Sequence, residues 1–205
     1  TARDIDVPGD ISSAAFFMVA GLIVKGSDII LRNVGLNPTR RGIFDVLKRM
    51  GGYLEILDLK NNIEPIADIR VKYSELKCTR VEAVEIPLLI DEVPILLVAA
   101  AKADGRTFIE GIGELKVKET DRVKSMTTNL SKMGVRLFSE GDSLVVEGGV
   151  KRFIPAAMES YGDHRTAMCG AIASLASEGE SLIKDVSCVD TSYPGFIKDL
   201  HKLAY

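Results

Sequence analysis

The 205-residue sequence predicts an α/β (α+β) fold with sheets on the outside and parallel, buried helices on the inside. Three observations lead there. A unit recurs three times with its parts in the same order. Each unit pairs a segment that is apolar nearly all round with one that is amphipathic, and the strand-like segments alternate apolar and polar residues. A helix apolar on every side has to be buried on most of its surface. An alternating strand covers a core with one face and meets water with the other. Three such helices surrounded by three sheets satisfy both demands.

Each unit opens at an Asp that runs into small and apolar residues: Asp10-Ile-Ser-Ser-Ala-Ala-Phe-Phe, Asp91-Glu-Val-Pro-Ile-Leu-Leu-Val and Asp163-His-Arg-Thr-Ala-Met-Cys-Gly. These predict the buried helices, at 12–24, 94–103 and 165–176. Gly26, Gly105 and Gly179 follow at similar offsets and stop them. A β-like run comes next in each unit, at 28–32, 106–110 and 181–184. Amphipathic helices are then predicted at 39–50 and 120–133, ending in Met50-Gly51 and Met133-Gly134, and a third runs to the end of the chain. Half-exposed strands are predicted at 53–57, 69–73 and 143–147. The repeats fall at about 1–78, 79–150 and 151–205, and the whole reads as one domain.

Composition removes several function classes. A net charge of −3 argues against a nucleic-acid binder, which usually presents a basic surface, but leaves room for a small anionic substrate in a locally cationic cleft. No apolar run reaches the ~18 residues of a membrane span. Cys78, Cys169 and Cys188 are odd in number and show no Cys-x-x-Cys spacing, which suits reduced thiols in a cytoplasmic protein better than disulfides or a zinc site. His164 and His201 lie too far apart in sequence to signal a metal. The N-terminus Thr1-Ala2-Arg3-Asp4 lacks an initiator Met and a signal-peptide plan and enters a strand-like segment, so a piece of a longer chain is expected.

If the three buried helices run parallel, their N-termini converge, and that end attracts anions through its partial positive charge and free N–H groups. Three groups of residues sit there. In Lys118-Glu119-Thr120-Asp121-Arg122, Thr120 reads as an N-cap and Asp121 as a first-turn acid; the group is either a solvated helix start or a pair of cations for phosphate or carboxylate. In Asp163-His164-Arg165, Asp163 reads as a cap, and Arg165 as a surface cation or an anion clamp. Asp91 either caps the second buried helix or acts as a general base, which requires its pKa to be raised.

With Val7-Pro8-Gly9-Asp10, Ile90-Asp91-Glu92 and Tyr161-Gly162-Asp163-His164-Arg165, the Lys118–Arg122 motif resembles the 5-enolpyruvylshikimate-3-phosphate synthases, in the family's order and spacing over essentially the whole chain. The resemblance implies an inside-out α/β barrel of the enolpyruvyl transferase type, built of three βαβαββ-like units. It makes this chain most of the C-terminal domain of a two-domain enzyme, with the N-terminal domain as its missing partner. The implied reaction transfers the enolpyruvyl group of phosphoenolpyruvate to the 5-hydroxyl of shikimate 3-phosphate and releases phosphate, with no metal or organic cofactor. Position by position, Asp91 matches the proton acceptor and a shikimate-site acid, Glu119 the acid for proton exchange at the methylene carbon, and Lys118 a shikimate 3-phosphate ligand. Arg122 and Arg165 match the phosphoenolpyruvate arginines, while His164 and Asp10 match supporting positions.

One departure stands out. Many members carry a Lys near the C-terminal Phe/Tyr-Pro, and Cys188-Val-Asp190-Thr191-Ser192-Tyr193-Pro194 has none, so altered phosphoenolpyruvate affinity and altered sensitivity to analogues such as glyphosate are expected. The alternatives are the related UDP-N-acetylglucosamine enolpyruvyl transferase and a non-catalytic anion-binding module. Because domain closure assembles such sites, the chain alone is expected to fold but not to turn over.

Overall fold

The computed structural model describes residues 7–61 and 64–204. The strand-like entry expected at 1–6 lies outside the described residues. Three helices form the centre: α1 (Ile11–Ile23), α3 (Val93–Lys102) and α5 (His164–Ser174). They pack against one another pairwise. Their apolar composition explains the placement, since Phe16, Met18, Leu22, Leu96, Val98, Ala100, Cys169 and Ile172 are each at most 2% exposed. Fully burying a large apolar side chain contributes ~1.5–3 kcal/mol, so these helices supply much of the drive to fold. The helices are parallel. Ser12, Glu92 and Arg165 meet at one end, and Val24, Lys102 and Ala176 line one depression at the other.

Sheets surround this centre. The first has order β1 (Asp28–Gly35), β3 (Pro65–Lys72), β2 (Tyr53–Asn61), all antiparallel. Both ladders shift register, between Leu31 and Val34 and between Leu57 and Lys60, where Asn33 and Asp58 take left-handed φ of 56° and 49°. Such bulges bend a strand and increase its twist, which suits a sheet wrapped around a helix.

The second sheet has order β4 (Arg80–Val81), β5 (Arg106–Glu110), β7 (Ser143–Glu147), β6 (Arg136–Glu140), with β4 parallel to β5 and the rest antiparallel. The third is the parallel pair β8 (Ala157–Glu159) and β9 (Leu182–Lys184). Gly9 makes the corresponding parallel bridge to Val34 in the first unit. Each buried helix therefore links a parallel pair. In the third unit the residues after β9 form a 3-10 turn and α6 (Phe196–Ala204), the helix expected to run to the end of the chain.

The amphipathic helices are α2 (Gly42–Arg49) and α4 (Arg122–Lys132), both shorter than expected. At α2 the delay has a local cause. Asn37 Oδ1 accepts from the Thr39 amide at 3.0 Å and hydroxyl at 2.8 Å, folding residues 37–41 into a turn before the helix begins. Gly51 and Gly134 end these helices with φ of 86°, a conformation that disfavours side chains other than glycine's. α6 is fastened to α1 by aromatic packing: Phe196 lies 6.0 Å from Phe16 and 5.7 Å from Phe17, centroid to centroid. Tyr193 joins this cluster and donates to Asp199 at 3.0 Å; burial, then that hydrogen bond, pushes its phenol up to about 12. The stretch expected to lack a phosphoenolpyruvate lysine is thus packed against α1 through Tyr193.

Candidate active site at the converging helix N-termini

Two of the three opening aspartates cap their helices. Asp10 accepts from the amides of Ser12 at 3.2 Å and Ser13 at 2.9 Å. Asp163, fully buried, accepts from the amides of Arg165 and Thr166 and from the Thr166 hydroxyl at 2.8 Å. Asp91 does not cap. It lies in the 3-10 turn Ile90–Glu92, and Glu92 occupies the N-cap position of α3 without making a side-chain capping bond. At α4 the cap is Asp121, which accepts from the Lys124 amide at 2.9 Å, rather than Thr120. Asp121 takes the cap because its extended backbone turns the carboxylate onto the third amide of the helix.

Arg122, the first residue of α4, is the hub of the site. It is 1% exposed, far from the solvated helix start its charged neighbours suggest in sequence. Its guanidinium donates to Asp163 from Nε at 3.3 Å and Nη2 at 3.2 Å, to Asp91 from Nη1 at 3.2 Å, and to Glu119 from Nη2 at 2.5 Å. The Glu119 side chain is over half exposed. Lys118 Nζ stands 3.6 Å from Asp91. His164 lies beside Asp163, with Nδ1 at 3.9 Å; burial pushes its imidazole below the usual value despite that carboxylate, so it is neutral at pH 7. Asp91, Lys118, Glu119, Arg122, His164 and Arg165 are therefore one connected cluster. Asp10 stays at its edge, engaged only in capping α1.

Asp91 lies below its ordinary pKa, short of the raised value that a general base requires. Burial pushes its carboxyl up, but Arg165, Lys118, Arg122 and Arg40 together outweigh it. Asp163 is shifted the same way: burial raises it, and the charge and hydrogen bonds of Arg122 with those of Thr166 prevail.

Arg165 is no surface cation. Its side chain is 13% exposed, Nη1 donates to the Asp91 carbonyl at 2.9 Å, and Nη2 stands 3.8 Å from the Asp91 carboxylate. Its Nε is buried without an acceptor, alone in this among the described residues. Such an atom is an exception, since nearly all buried polar groups are paired. Sequence reasoning missed three members of this cluster. Ser12, Arg40 and Glu92 converge beneath Arg165, with Arg40 Nη2 donating to Ser12 Oγ at 3.1 Å. Position was the only signal, since Ser12 and Glu92 sit at helix openings while Arg40 reaches them from a distant turn. Among the described residues no group of His, Cys, Asp or Glu is arranged to hold a metal ion, and no helix is long and apolar enough to cross a membrane.

This architecture is shared with solved structures. EPSP synthase from Acinetobacter baumannii superposes with a TM-score of 0.93 at 40% identity, over 97% of this chain and 46% of that one. The enolpyruvyl transferase NikO from Streptomyces tendae superposes with a TM-score of 0.75 at 18% identity, over 98% of this chain and 44% of that one. The fold is therefore that of the enolpyruvyl transferases.

The sequence narrows the class. The profile of EPSP synthase (3-phosphoshikimate 1-carboxyvinyltransferase) matches residues 1–200. The 3-phosphoshikimate 1-carboxyvinyltransferase of Citrifermentans bemidjiense is 49% identical over 96% of this chain and 46% of its own length. That of Endomicrobium trichonymphae is 47% identical over 98% and 47%. The chain belongs to the EPSP synthase family. It spans about half the length of these relatives.

Proposed function

We propose that the chain is most of the C-terminal domain of a cytoplasmic 3-phosphoshikimate 1-carboxyvinyltransferase and carries the phosphoenolpyruvate side of its active site. The observation that carries this reading is the cluster at the helix N-termini, where two arginines, a lysine and two accessible carboxylates meet. In this reading the 5-hydroxyl oxygen of shikimate 3-phosphate bonds to C2 of phosphoenolpyruvate while its proton passes to Asp91. Glu119 places a proton on the methylene carbon, and a tetrahedral intermediate forms. The Glu119 carboxylate then takes a proton back from that carbon, the double bond re-forms as the C2–O bond to phosphate breaks, and the proton held by Asp91 leaves with the phosphate. Arg122 and Arg165 hold the carboxylate and phosphate of phosphoenolpyruvate, with Arg offering the planar donor geometry such anions need. Lys118 serves the 3-phosphate of the other substrate. His164, neutral at pH 7, and Asp10 support the mouth, Asp10 by fixing the start of α1.

The N-terminal domain of the same protein supplies the opposing wall, and its closure excludes water. The test is phosphate release from phosphoenolpyruvate by the full-length protein, with and without shikimate 3-phosphate. Release that depends on shikimate 3-phosphate is the expected result, and its absence from a folded protein overturns the reading. The 205-residue chain alone is expected to show no turnover.

A further inference from the structure

Arg165 has to present its guanidinium to an anion from a fixed position, and the residues assigned to substrates do not explain how it is held. One side of the answer is the Asp91 carbonyl, which accepts from Nη1. The other is Glu92. This carboxylate is 2% exposed, and at the N-cap of α3 it makes no bond to the amides of its own helix. One hydroxyl and two guanidinium charges from three other elements converge instead on its Oε1: the Ser12 hydroxyl in α1 donates to it, Arg165 Nη1 from α5 pairs with it at 3.6 Å, and Arg40 Nη2 from the turn before α2 at 3.9 Å. Arg40 also donates to Ser12, which closes the ring.

A buried carboxylate is retained at a cost unless it is fully paired, and this one has given up the capping bonds that its position offers. Burial pushes its carboxyl above the ordinary value, past what Ser12, Arg165 and Arg40 pull down. A residue kept only for stability is not expected in that condition. We infer that Glu92 is a positioning residue: it orients the Arg165 guanidinium for an anionic carboxylate or phosphate, with Ser12 and Arg40 fixing the carboxylate itself. This rests on the reading that Arg165 binds phosphoenolpyruvate.

The experiment compares the full-length protein with its Glu92→Gln variant, which keeps the shape of the side chain and removes the charge. Expected are a tenfold or greater loss of phosphoenolpyruvate affinity by titration, shikimate 3-phosphate affinity within about twofold, and a thermal midpoint no lower than that of the parent. In a crystal structure of the variant, Arg165 should have left the Asp91 carbonyl. Arg165 unmoved, with both affinities unchanged, overturns the inference, as does an equal loss of both affinities with a fallen midpoint. A parent protein that binds no phosphoenolpyruvate overturns the proposed function instead, and the position of Arg165 in the variant still decides the role of Glu92. Should Glu92→Gln fail to fold, Ser12→Ala removes the hydroxyl that holds the carboxylate, and a threefold or greater selective loss of phosphoenolpyruvate affinity is then expected; no loss overturns the inference.

Discussion

Replacing Arg122 with Met tests whether the hub of the site is also a structural keystone. The guanidinium is 1% exposed and its chief partner, Asp163, is 0% exposed, so the substitution strands a buried carboxylate. Breaking such a pair by removing one member costs about 3–5 kcal/mol. The lower end applies here, because Asp163 keeps the Thr166 hydroxyl and amide and the Arg165 amide. For a chain of this size a loss of ~3 kcal/mol lowers the melting temperature by roughly 6–12 °C. Removing the stranded charge as well should undo part of the damage. In Arg122→Met/Asp163→Asn, the amide still caps α5, and non-additivity on the order of 1–3 kcal/mol is expected relative to the single variants. Urea unfolding of the four proteins measures the cycle directly. A single-variant effect below about 1 kcal/mol, or strict additivity in the double variant, refutes the claim that a desolvated pair holds this end together.

The Asp163 pKa is lowered, so its contribution to stability is complete above the unfolded value of about 3.9 and is lost as pH falls through the folded value. The stability gap between the parent and Asp163→Asn should therefore narrow below roughly pH 4; a gap constant down to acid unfolding contradicts this. Arg165→Ala in the full-length protein should weaken phosphoenolpyruvate binding by about 10- to 100-fold, the worth of ~1.5–3 kcal/mol of charged hydrogen bonding, and unchanged affinity by titration removes Arg165 from the site. An anion that draws Arg122 and Arg165 away from Asp91 should raise its pKa, so the acid limb of the kcat profile should lie at higher pH than that of kcat/KM. Coincident limbs exclude Asp91 as the group concerned.

The buried helices were legible because an all-round apolar segment has few alternatives to the centre of the fold, and Phe16, Leu96 and Ile172 sit there. The helix ends at Gly51 and Gly134 were legible because a left-handed residue is needed and glycine supplies it. The capping roles of Asp10 and Asp163 follow from local chemistry. Asp91 shows the limit of that logic, since one extra residue of 3-10 turn moves the cap to Glu92 and leaves the Asp91 carboxylate to pair with Lys118 and Arg122. The burial of Arg122 had no local signal. Its flanks are charged, and only the meeting of α3, α4 and α5 encloses it. The ring of Ser12, Arg40 and Glu92 joins residues 28 to 80 positions apart, and such ion pairs leave no trace in periodicity. The bulges at Asn33 and Asp58 interrupt an alternation too weakly to be read before the ladders are known.

The charges of the cluster balance. Arg40, Lys118, Arg122 and Arg165 face Asp91, Glu92, Glu119 and Asp163, four against four. A phosphate arriving here competes with carboxylates and does not meet a bare positive surface. Two consequences follow. The first concerns proton transfer. Asp91 is held below its ordinary pKa by the same cations that an anion recruits, while the burial that pushes it up remains. In the proposed enzyme, binding is expected to move Asp91 toward the proton affinity a base requires and so to couple substrate arrival to readiness for chemistry. The second concerns affinity. Two multiply charged substrates side by side need a surplus of positive charge, and a balanced cluster has none to offer. In the proposed enzyme that surplus has to come from the opposing domain, so closure does more than exclude water: it shifts the balance that lets Arg122 and Arg165 exchange their carboxylates for substrate.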